Sequence, residues 1–443
     1  MKISFLGGLM KSLMFILITS LVIASSTVFA GKGPKGGPAF MDYEWTEVVP
    51  TDFLTPERWE PRAGLQAVEL HNHLFVIAGR TPSPTVDNPF ASIIHGDVWV
   101  SPDLGETWFE LLEDAESAGL WKNRAYFEAV TKGGYIYILG GQNFTTFIPD
   151  PPFVLPSEFF KDVWRSKDGL EWERMTGEAE WASPPKETLP TEPPCGPPVM
   201  QGRAGLSAVS FKGKLWVLGG SQGDDLSIGG GPDCRQVFND VWYSLDGSKW
   251  HLATGDAPWE ARAGGVALVK GGWLYYMGGE KGFTGEDDYF NDVWRTKDGM
   301  NWEEVTGPDG AGWSPRPGHK CSVLANHFVC MGGFAALDPF FPNFDTNPSD
   351  IWVSKDGADW VQVSDSPWNN DPSYSDCIFA DPPQLPIACD NVRYDFDMLT
   401  VSGGKRGMKP SIFTFGGDRE IFAPIPGNEF RIENDVWRYS PKR

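Results

Sequence analysis

Residues 291–302 read Asn-Asp-Val-Trp-Arg-Thr-Lys-Asp-Gly-Met-Asn-Trp, and this stretch decides the fold. Asp-Val-Trp-Arg begins a β-rich run, Lys-Asp-Gly has turn chemistry, and the closing Asn-Trp begins the next run. The stretch therefore predicts two short strands joined by a tight turn. Because it recurs, the chain is predicted to be an array of similar units. Further copies lie at Lys161–Trp172, Asn239–Trp250, Ser349–Trp360, more loosely at Gly96–Trp108, and without the second tryptophan at Asn434–Ser440.

Each unit also has an earlier half, which begins with an arginine and ends in a Gly-Gly or Ala-Gly pair. Between them lie two apolar runs separated by a turn, which predict two strands. Together with the two strands of the later half, each unit therefore has four strands, with small residues on the first strand. Tyr43–Val48 resembles a second half without a first half, whereas the copy at Asn434 lacks its second half. The N-terminal strand is therefore expected to complete the last unit and close a ring of six. The six arginines are Arg62, Arg124, Arg203, Arg262, Arg316 and Arg393.

This series of arginine, Gly-Gly, Asp-Val-Trp and closing tryptophan resembles kelch repeats over residues 41–443. The resemblance implies an all-β fold, a six-bladed kelch β-propeller of the galactose oxidase and kelch-like superfamily, of a bacterial, secreted type. Ser101–Trp108 also resembles the Asp-box of sialidases, which marks a structural turn. The copper site of galactose oxidases needs a Tyr/Cys/His constellation with no evident match in this chain. No metal and no cofactor are therefore expected.

The first thirty residues are predicted to be a secretory signal peptide. Lys2 and Lys11 flank the apolar run Leu13–Ala24, and Val28-Phe29-Ala30 suits a cleavage site. An uncleaved membrane anchor is the alternative, but the run is shorter than the ~20 residues that a span needs. Residues 31–40 are predicted to be a linker and residues 41–443 the propeller. The mature chain is expected to have no membrane span and to be secreted, periplasmic or bound to the cell surface.

Composition indicates the type of secondary structure, the class of partner and the state of the cysteines. The chain has 51 glycines, 37 prolines and 14% aromatic residues, which suits many short strands. A net charge of −22 opposes binding of phosphate backbones, so no nucleic-acid partner is expected. Six cysteines in an exported chain favour disulfides between neighbours in the sequence. The expected pairs are Cys321 with Cys330 across the Ala325-Asn326 turn, Cys377 with Cys389, and Cys195 with Cys234.

Propeller geometry predicts which face carries the site. Loops that enter the first strand of a blade share one face with the loops that join its second and third strands. The long insertions all fall in this set, whereas the loops of the opposite face are short. Ordered loops on one face of a rigid scaffold commonly carry binding sites. The insertions are Arg80–His95, Gln142–Phe160, Gly177–Gly202, Ser221–Phe238, Phe334–Pro348, Asp365–Val392 and Asp418–Glu433.

Two repeated series are candidate ligand-binding residues on this face. The six ring arginines could converge on a carboxylate or sulfate; the alternative is that each pairs with a nearby acid, for instance one of the neighbouring blade, and joins the blades. A tryptophan three residues before an arginine could stack on a sugar ring, or could pack against the adjacent blade. These tryptophans are Trp59, Trp121, Trp259 and Trp313, with Trp181 and Trp368 as further candidates.

These features predict an exported, monomeric binding module that holds a glycan or a protein on the face with the long loops. The first alternative is a sugar-acid enzyme, because exported sialic-acid mutarotases are six-bladed kelch propellers that the chain also resembles. A ring arginine would then hold the sugar carboxylate while a nearby acid moved the proton. The second alternative is a structural or adhesive surface protein. No catalytic residue is assigned, since the chain has no GxSxG, HExxH or phosphate-loop motif.

Overall fold

The computed structural model describes residues 42–52, 58–83, 92–143, 157–182, 202–223, 235–282, 288–333, 350–367, 378–379, 386–388, 393–403, 408–418 and 432–442. The predicted signal peptide, the linker and the two disulfide pairs Cys195/Cys234 and Cys377/Cys389 lie outside these residues, as do most residues of the long insertions. The described residues form strands and a 3₁₀ turn at Glu180–Ala182. None of their helical segments is long and apolar enough to cross a membrane.

The first three blades are four-stranded antiparallel sheets in which the strands follow one another outward. Blade 1 contains β2 (Gln66–Leu70), β3 (His73–Pro82), β4 (Ser92–Ser101) and β5 (Phe109–Leu112). Blade 2 contains β6 (Glu128–Lys132), β7 (Tyr135–Leu139), β10 (Val163–Ser166) and β11 (Trp172–Thr176), with a ribbon of β8 (Gln142–Asn143) and β9 (Glu158–Phe159). Blade 3 contains β12 (Ser207–Phe211), β13 (Lys214–Leu218), β16 (Val241–Ser244) and β17 (Trp250–Thr254), with a ribbon of β14 (Ser221–Gln222) and β15 (Gln236–Val237).

The other three blades follow the same order, and the last one includes the N-terminal strand. Blade 4 contains β18 (Val266–Lys270), β19 (Trp273–Met277), β20 (Val293–Thr296) and β21 (Trp302–Glu304). Blade 5 contains β22 (His319–Leu324), β23 (His327–Gly332), β24 (Asp350–Ser354) and β25 (Trp360–Asp365), and a short ribbon of β26 (Ile378–Phe379) and β27 (Pro386–Ala388) follows it. Blade 6 contains β28 (Asp397–Val401), β29 (Ser411–Asp418), β30 (Ile432–Pro441) and β1 (Tyr43–Val49).

The six blades form a closed ring. The innermost strands touch their neighbours in cyclic order, β2 with β6, β6 with β12, β12 with β18, β18 with β22, β22 with β28, and β28 with β2. Main-chain hydrogen bonds follow part of the same circle near the axis. The N–H of Gly64 donates to Asp395 O, that of Tyr126 to Gly64 O, that of Gly205 to Tyr126 O, and that of Gly264 to Gly205 O. The predicted six-bladed propeller is confirmed.

The N-terminal strand closes the last blade, as the incomplete sequence copies predict. β1 pairs antiparallel with β30, with Tyr43 opposite Pro441 and Trp45 opposite Tyr439. The ring of Tyr439 lies 5.2 Å from that of Tyr43 and 4.9 Å from that of Trp45. Residues from the two ends of the chain thus share one aromatic contact, and the ring is closed by both hydrogen bonds and apolar burial.

The hydrophobic core lies between blades. Six clusters of buried side chains each combine residues from two neighbouring blades, including blades 6 and 1. The cluster between blades 1 and 2, for example, joins Phe75 and Val98 to Phe127, Ile138 and Trp172. Because apolar area is buried only when neighbours stack, a single blade has no complete core of its own.

The Asp-Gly turns are self-contained hydrogen-bonded units. In blade 4, the carboxylate of Asp298 accepts the main-chain N–H groups of Met300 and Asn301, and the N–H of Gly299 donates to Thr296 Oγ1. The indole N–H of Trp302 closes the turn on Gly299 O at 3.2 Å. Burial alone would raise the pKa of Asp298, but these hydrogen bonds outweigh it and lower the pKa to about 2. The turn of Ser101–Trp108 has the same closing bond, so the Asp-box pattern marks a structural turn here as well.

The structure confirms one predicted disulfide and shows strand residues in one predicted insertion. The predicted pair Cys321–Cys330 forms a disulfide between opposite residues of β22 and β23. The insertion Arg80–His95 is partly strand, because Arg80–Pro82 continue β3 and Ser92–His95 belong to β4. We call the face where second strands end and first strands begin, at Gly79–Arg80 and Tyr126–Glu128 for example, the loop-rich face. The opposite face, with the Asp-Gly turns, is the short-turn face.

Because β1 completes blade 6, its deletion should destabilise the protein. Removing residues 1–50 deletes β1, whereas removing residues 1–41 leaves it in place. We expect the shorter chain to lose stability by at least about 3–5 kcal/mol, the usual cost of losing one large buried aromatic side chain such as Tyr43. Added peptide 42–50 should restore the melting temperature, measured by circular dichroism. Equal melting of the two truncated chains would contradict closure by β1.

Candidate functional site

A buried arginine–aspartate pair recurs in every blade. In blade 3, Arg203 Nη1 donates to Asp240 Oδ1 at 2.5 Å and Nη2 to Asp240 Oδ2 at 2.7 Å. Arg203 Nη1 also donates to Gly219 O, and the indole N–H of Trp242 donates to the same carboxylate at 2.7 Å. The arginine before the first strand is thereby fixed to the start of the third strand and to the end of the second. We call this arrangement the clamp.

All six ring arginines make the clamp, and in each the aspartate belongs to the same blade. Each arginine therefore pairs with a nearby acid, but the interpretation of these pairs as links between neighbouring blades is wrong for the side chains. The arginine side chain reaches past the end of the second strand to the aspartate at the start of the third strand of its own sheet. The pairs are Arg62–Asp97, Arg124–Asp162, Arg203–Asp240, Arg262–Asp292, Arg316–Asp350 and Arg393–Asp435.

The clamp leaves the guanidinium groups little capacity for a ligand. The six arginines are 0–3% exposed, and phenylalanine rings cover three of them; the Arg203 guanidinium lies 3.7 Å from the centre of Phe238. Burial alone would raise the pKa of Asp97, but Arg62 and its hydrogen bonds outweigh this and lower it. A carboxylate held in this way stays ionised and keeps its arginine. Ligand binding by the ring arginines stays a prediction that their placement does not favour.

The arginines do join neighbouring blades, but through the main chain. The N–H of Gly141 in blade 2 donates to Arg203 O of blade 3 at 2.7 Å, and the same bond recurs at other junctions. A Cβ on Gly140 would lie 2.5 Å from Arg203 O, and both glycines have positive φ. The Gly-Gly pair is therefore required where one blade approaches the arginine carbonyl of the next.

The loop tryptophans are also core residues. Trp59, Trp121, Trp259 and Trp313 are 0–2% exposed, and Trp181 joins them at 0%. Each packs edge-on against the closing tryptophan of its blade, as Trp259 does against Trp302 at 6.2 Å and 83°. Sugar stacking on these rings stays a prediction, and burial favours the packing alternative. Trp368 lies outside the described residues. The other four edge-on pairs are Trp59–Trp108, Trp121–Trp172, Trp181–Trp250 and Trp313–Trp360.

A different set of polar residues meets at the axis on the loop-rich face. Arg80 of blade 1 donates through Nε to the Tyr126 hydroxyl of blade 2 at 2.6 Å, and through Nη2 to Asp418 of blade 6 at 2.9 Å. The Tyr126 hydroxyl also bonds to Asp395 of blade 6. We call Arg80, Tyr126, Asp395 and Asp418 the axial mouth. Three blades therefore contribute to one hydrogen-bonded group, and Arg80, Tyr126 and Asp395 remain partly open to solvent.

Tyr126 and Asp395 replace the glycine of the repeat at a backbone position with positive φ. The residue two places after the ring arginine has positive φ in all six blades and is glycine in four of them. Tyr126 takes φ 55° and Asp395 takes φ 53° at the same position. Side chains at such angles cost of order 1–3 kcal/mol and are retained where the surroundings hold them. The signal in the sequence is the change from Arg-Ala-Gly to Arg-Ala-Tyr and Arg-Tyr-Asp, which is easily missed beside the more conspicuous arginines and tryptophans.

A second polar group, Glu128, Lys320 and Asp397, lies within the first two residues of the inner strands β6, β22 and β28. Lys320 Nζ lies 3.4 Å from Asp397 Oδ1, and the main-chain N–H of Ala208 donates to the Glu128 carboxyl group. Burial raises the pKa of Glu128 to about 8; Asp397 adds to the rise and Lys320 opposes it. Burial likewise raises the pKa of Asp395 to about 6. Both carboxyl groups can therefore gain or lose a proton near neutral pH.

Comparison with known proteins supports the repeat assignment. The chain is 31% identical over 145 residues to Kelch domain-containing protein 1 of Mus musculus, which covers 31% of this chain and 33% of that protein. The matched segment thus spans about a third of that curated relative. No family model matches the chain. Together with the six blades, this similarity describes a kelch-like β-propeller.

The clamp predicts that alanine substitutions at two arginines of blade 4 lower the free energy of unfolding by very different amounts. Replacing Arg262 by alanine leaves the half-buried Asp292, whose side chain is 22% exposed, without its cation, so we expect the free energy of unfolding to fall by about 3 kcal/mol, the low end of the cost for a buried pair. The matched control is Arg295→Ala, which breaks a surface pair with Glu303 and should cost about 1 kcal/mol or less. Urea unfolding of both variants gives the comparison. Similar costs at the two sites would contradict a structural role for the clamp.

The raised pKa of Glu128 predicts a stability difference that depends on pH. The unfolded carboxyl group ionises near its ordinary pKa of 4.5, whereas the folded one holds its proton to about 8. This site therefore loses stability as pH rises from 4.5 through 8. Glu128→Gln keeps an acceptor for Ala208, as Gln66 does for Ala129 in blades 1 and 2. We expect the variant to gain stability over the parent, and to gain more at pH 8.5 than at pH 6.

The measurement for this prediction is the urea midpoint of parent and variant at both pH values. The control is Glu171→Gln, which removes an exposed carboxylate from a turn of blade 2. The difference in urea midpoint between Glu171→Gln and the parent should be the same at pH 6 and pH 8.5. A Glu128→Gln difference that does not change with pH would show that this carboxyl group is ionised in the folded protein throughout the range.

Proposed function

We propose that this chain is an exported kelch-like binding module that holds a protein partner on its loop-rich face. Kelch propellers bind proteins. One observation carries the choice of face: the axial mouth, the only place among the described residues where the arginine repeat carries tyrosine and aspartate at its left-handed position, opens on the side from which the long insertions depart. The short-turn face, by contrast, repeats one hydrogen-bonded turn from blade to blade.

Exposed side chains on the loop-rich face support a contact surface there. Ile93, at the start of β4, is 49% exposed, and Lys122 forms an exposed ion pair with Glu158 of the β8–β9 ribbon. Protein interfaces combine an apolar centre with a polar, solvent-accessible rim, and these exposed apolar and charged side chains provide both kinds of group on this face. A glycan ligand on the same face remains open as an alternative to a protein.

Export is part of the proposal. It rests on the apolar run and cleavage-like sequence of residues 1–30, and on the Cys321–Cys330 disulfide, since disulfides persist mainly in oxidising compartments.

A sugar-acid enzyme is the second candidate, because the axial mouth contains a carboxyl group suited to proton transfer. Asp395 has its pKa raised to about 6 by burial and accepts a hydrogen bond from Tyr126 beside the cationic Arg80. An acid with a pKa near the working pH can both donate and accept a proton. Anomer exchange of N-acetylneuraminate, followed by NMR, tests this: a rate increase that Asp395→Asn abolishes would favour the enzyme over the binding module.

The proposed face is tested by two matched substitutions. Ile93→Arg places a charge on the loop-rich face, and Met300→Arg does the same at a 55% exposed position of a short turn. We expect a partner, isolated by cross-linking from the source cells' own envelope or medium and then purified, to bind Ile93→Arg at least about tenfold more weakly than the parent. Binding to Met300→Arg should be unchanged.

Three results would count against the proposal. Loss of binding with Met300→Arg alone would move the site to the short-turn face. Equal binding by all three proteins would exclude the surface around Ile93. Capture of no protein by folded chain, together with binding on a glycan array, would replace the protein partner by a glycan.

A further inference from the structure

Three neighbouring turns of the short-turn face each expose one large aliphatic side chain. Leu170 of blade 2 is 48% exposed, Leu245 of blade 3 is 63% exposed and Met300 of blade 4 is 55% exposed. Apolar side chains scattered singly over a surface need no explanation, but these three lie in adjacent blades on one repeated turn. In the described turns of blades 1 and 5, by contrast, Leu104 is half-buried and Ala358 is small. We call the three exposed side chains the turn tips.

An exposed lysine accompanies each turn tip. Lys167, Lys249 and Lys297 belong to the same three turns, and none of them forms an ion pair with a carboxylate of the described residues. The hairpin turns of blades 2–4 on this face contain seven lysines and four acids, a net charge of +3 in a chain whose net charge is −22. Three of these acids accept main-chain N–H groups of their own turns. The turns comprise residues 132–135, 166–172, 211–214, 244–250, 270–273 and 296–302.

Aromatic rings hold several of these positive charges in place. Lys297 Nζ lies 4.4 Å from the centre of the Trp273 ring, and Lys214 Nζ lies 3.7 Å from that of Tyr243. A lysine of blade 2 lies over a tyrosine in the same way. An ammonium group is attracted to the face of an aromatic ring, and such a contact leaves its charge unneutralised. The charges are therefore positioned without being cancelled.

Hydrogen bonds between blades hold the three turns side by side. Lys132 Nζ of blade 2 donates to Leu245 O of blade 3 at 2.7 Å, and Lys212 Nζ of blade 3 donates to Lys297 O of blade 4 at 2.7 Å. Each of these lysines joins the first hairpin of its blade to the turn of the next blade, so its ammonium group also stays at this face. The turn tips and the lysines of blades 2–4 thus form one continuous surface, which we call the basic apolar surface.

We infer that the basic apolar surface binds an anionic membrane, with the turn tips inserted between the headgroups and the lysines at the lipid phosphates. Peripheral binding of this kind combines burial of apolar side chains with attraction of basic groups to anionic lipids. The negative charge of the other faces has little effect, because salt screens charges that are more than about 8 Å away. The surface lies opposite the face proposed for a protein partner, and the inference does not depend on that proposal.

Two features favour a lipid surface over other partners. The turn tips are separate exposed side chains, so a protein would need a matching pocket for each of them, whereas a fluid lipid surface needs none. Lysine is depleted in protein–protein interfaces, but it suits phosphate groups as a hydrated point charge. A soluble anionic polymer would contact the lysines and leave the turn tips without a role.

The test uses residues 42–443, which contain all six blades and lack the apolar run Leu13–Ala24, because that run could bind lipid by itself. Flotation with vesicles of phosphatidylcholine and about 30% phosphatidylglycerol at 150 mM salt measures the bound fraction. We expect the protein to bind these vesicles, and to bind vesicles of phosphatidylcholine alone at least about tenfold more weakly.

Two triple variants separate the apolar and the charged contributions. The tip variant keeps every charge and removes the turn tips, and the lysine variant keeps the tips and removes three charges. Each should bind the anionic vesicles at least about tenfold more weakly than the parent. All six positions are exposed, and circular dichroism and urea unfolding establish that the variants are folded. The variants are Leu170→Gln/Leu245→Gln/Met300→Gln and Lys167→Gln/Lys249→Gln/Lys297→Gln.

Each variant has a matched control elsewhere on the propeller. The apolar control replaces three side chains that are 49–55% exposed, and the charge control removes three lysines of the loop-rich face. Both should bind the anionic vesicles within about twofold of the parent, because charges far from the membrane are screened. The controls are Ile93→Gln/Leu252→Gln/Val361→Gln and Lys122→Gln/Lys161→Gln/Lys281→Gln.

Four results would overturn the inference. Absence of binding by the folded parent would exclude an anionic membrane, and equal binding to neutral and anionic vesicles would exclude a role for the lysines. Equal loss in a variant and its control would reduce the effect to overall charge or apolarity. Unchanged vesicle binding in the tip variant would show that the tips do not insert. If heparin then bound the parent and not the lysine variant, the surface would belong to a soluble polyanion.

Discussion

The interaction on which the fold depends is the buried pair between the arginine before the first strand and the aspartate of the third. Each guanidinium is held by a carboxylate and a main-chain carbonyl, and the same carboxylate accepts an indole N–H. The pair ties three parts of one blade together, while the arginine carbonyl accepts an N–H from the blade before it. Removing one partner of such a pair leaves a buried charge, which costs far more than the pair contributes against an apolar substitute. Its repetition in all six blades makes the scaffold rigid.

Rigidity of the repeat explains why function is to be sought where the repeat fails. Clamps recur in all six blades, and the closing tryptophan with its hydrogen-bonded turn recurs in blades 1–5, so these features do not single out one side of the axis. Tyr126 and Asp395 do, because they occupy a position that glycine fills in the other four blades. Together with Arg80 they give a nearly six-fold arrangement one side with polar side chains, whereas the other blades have glycine there. An asymmetric ligand requires such a difference.

The sequence predicted the fold well because the fold is set by local, repeated signals. Asp-Val-Trp and the Asp-Gly turn each form hydrogen bonds within a few residues, and the complementary ends predicted closure by the N-terminal strand. The candidate site was harder, because repetition made arginine and tryptophan conspicuous although both are buried. Arg80, Asp395 and Asp418 lie far apart in the chain and meet only when blade 6 closes on blade 1. A pairing of that kind depends on ring geometry, which no local pattern encodes.

The central claim is that the ring arginines serve the scaffold and leave ligand recognition to the axis. A double-mutant cycle on the unfolding free energy of Arg203→Ala, Asp240→Ala and the double variant tests it most directly. The account predicts a coupling energy of about 2 kcal/mol or more, because each single change leaves a buried charge that the double change removes. Additive effects within about 0.5 kcal/mol would contradict it and would return Arg203 to the candidates for ligand binding.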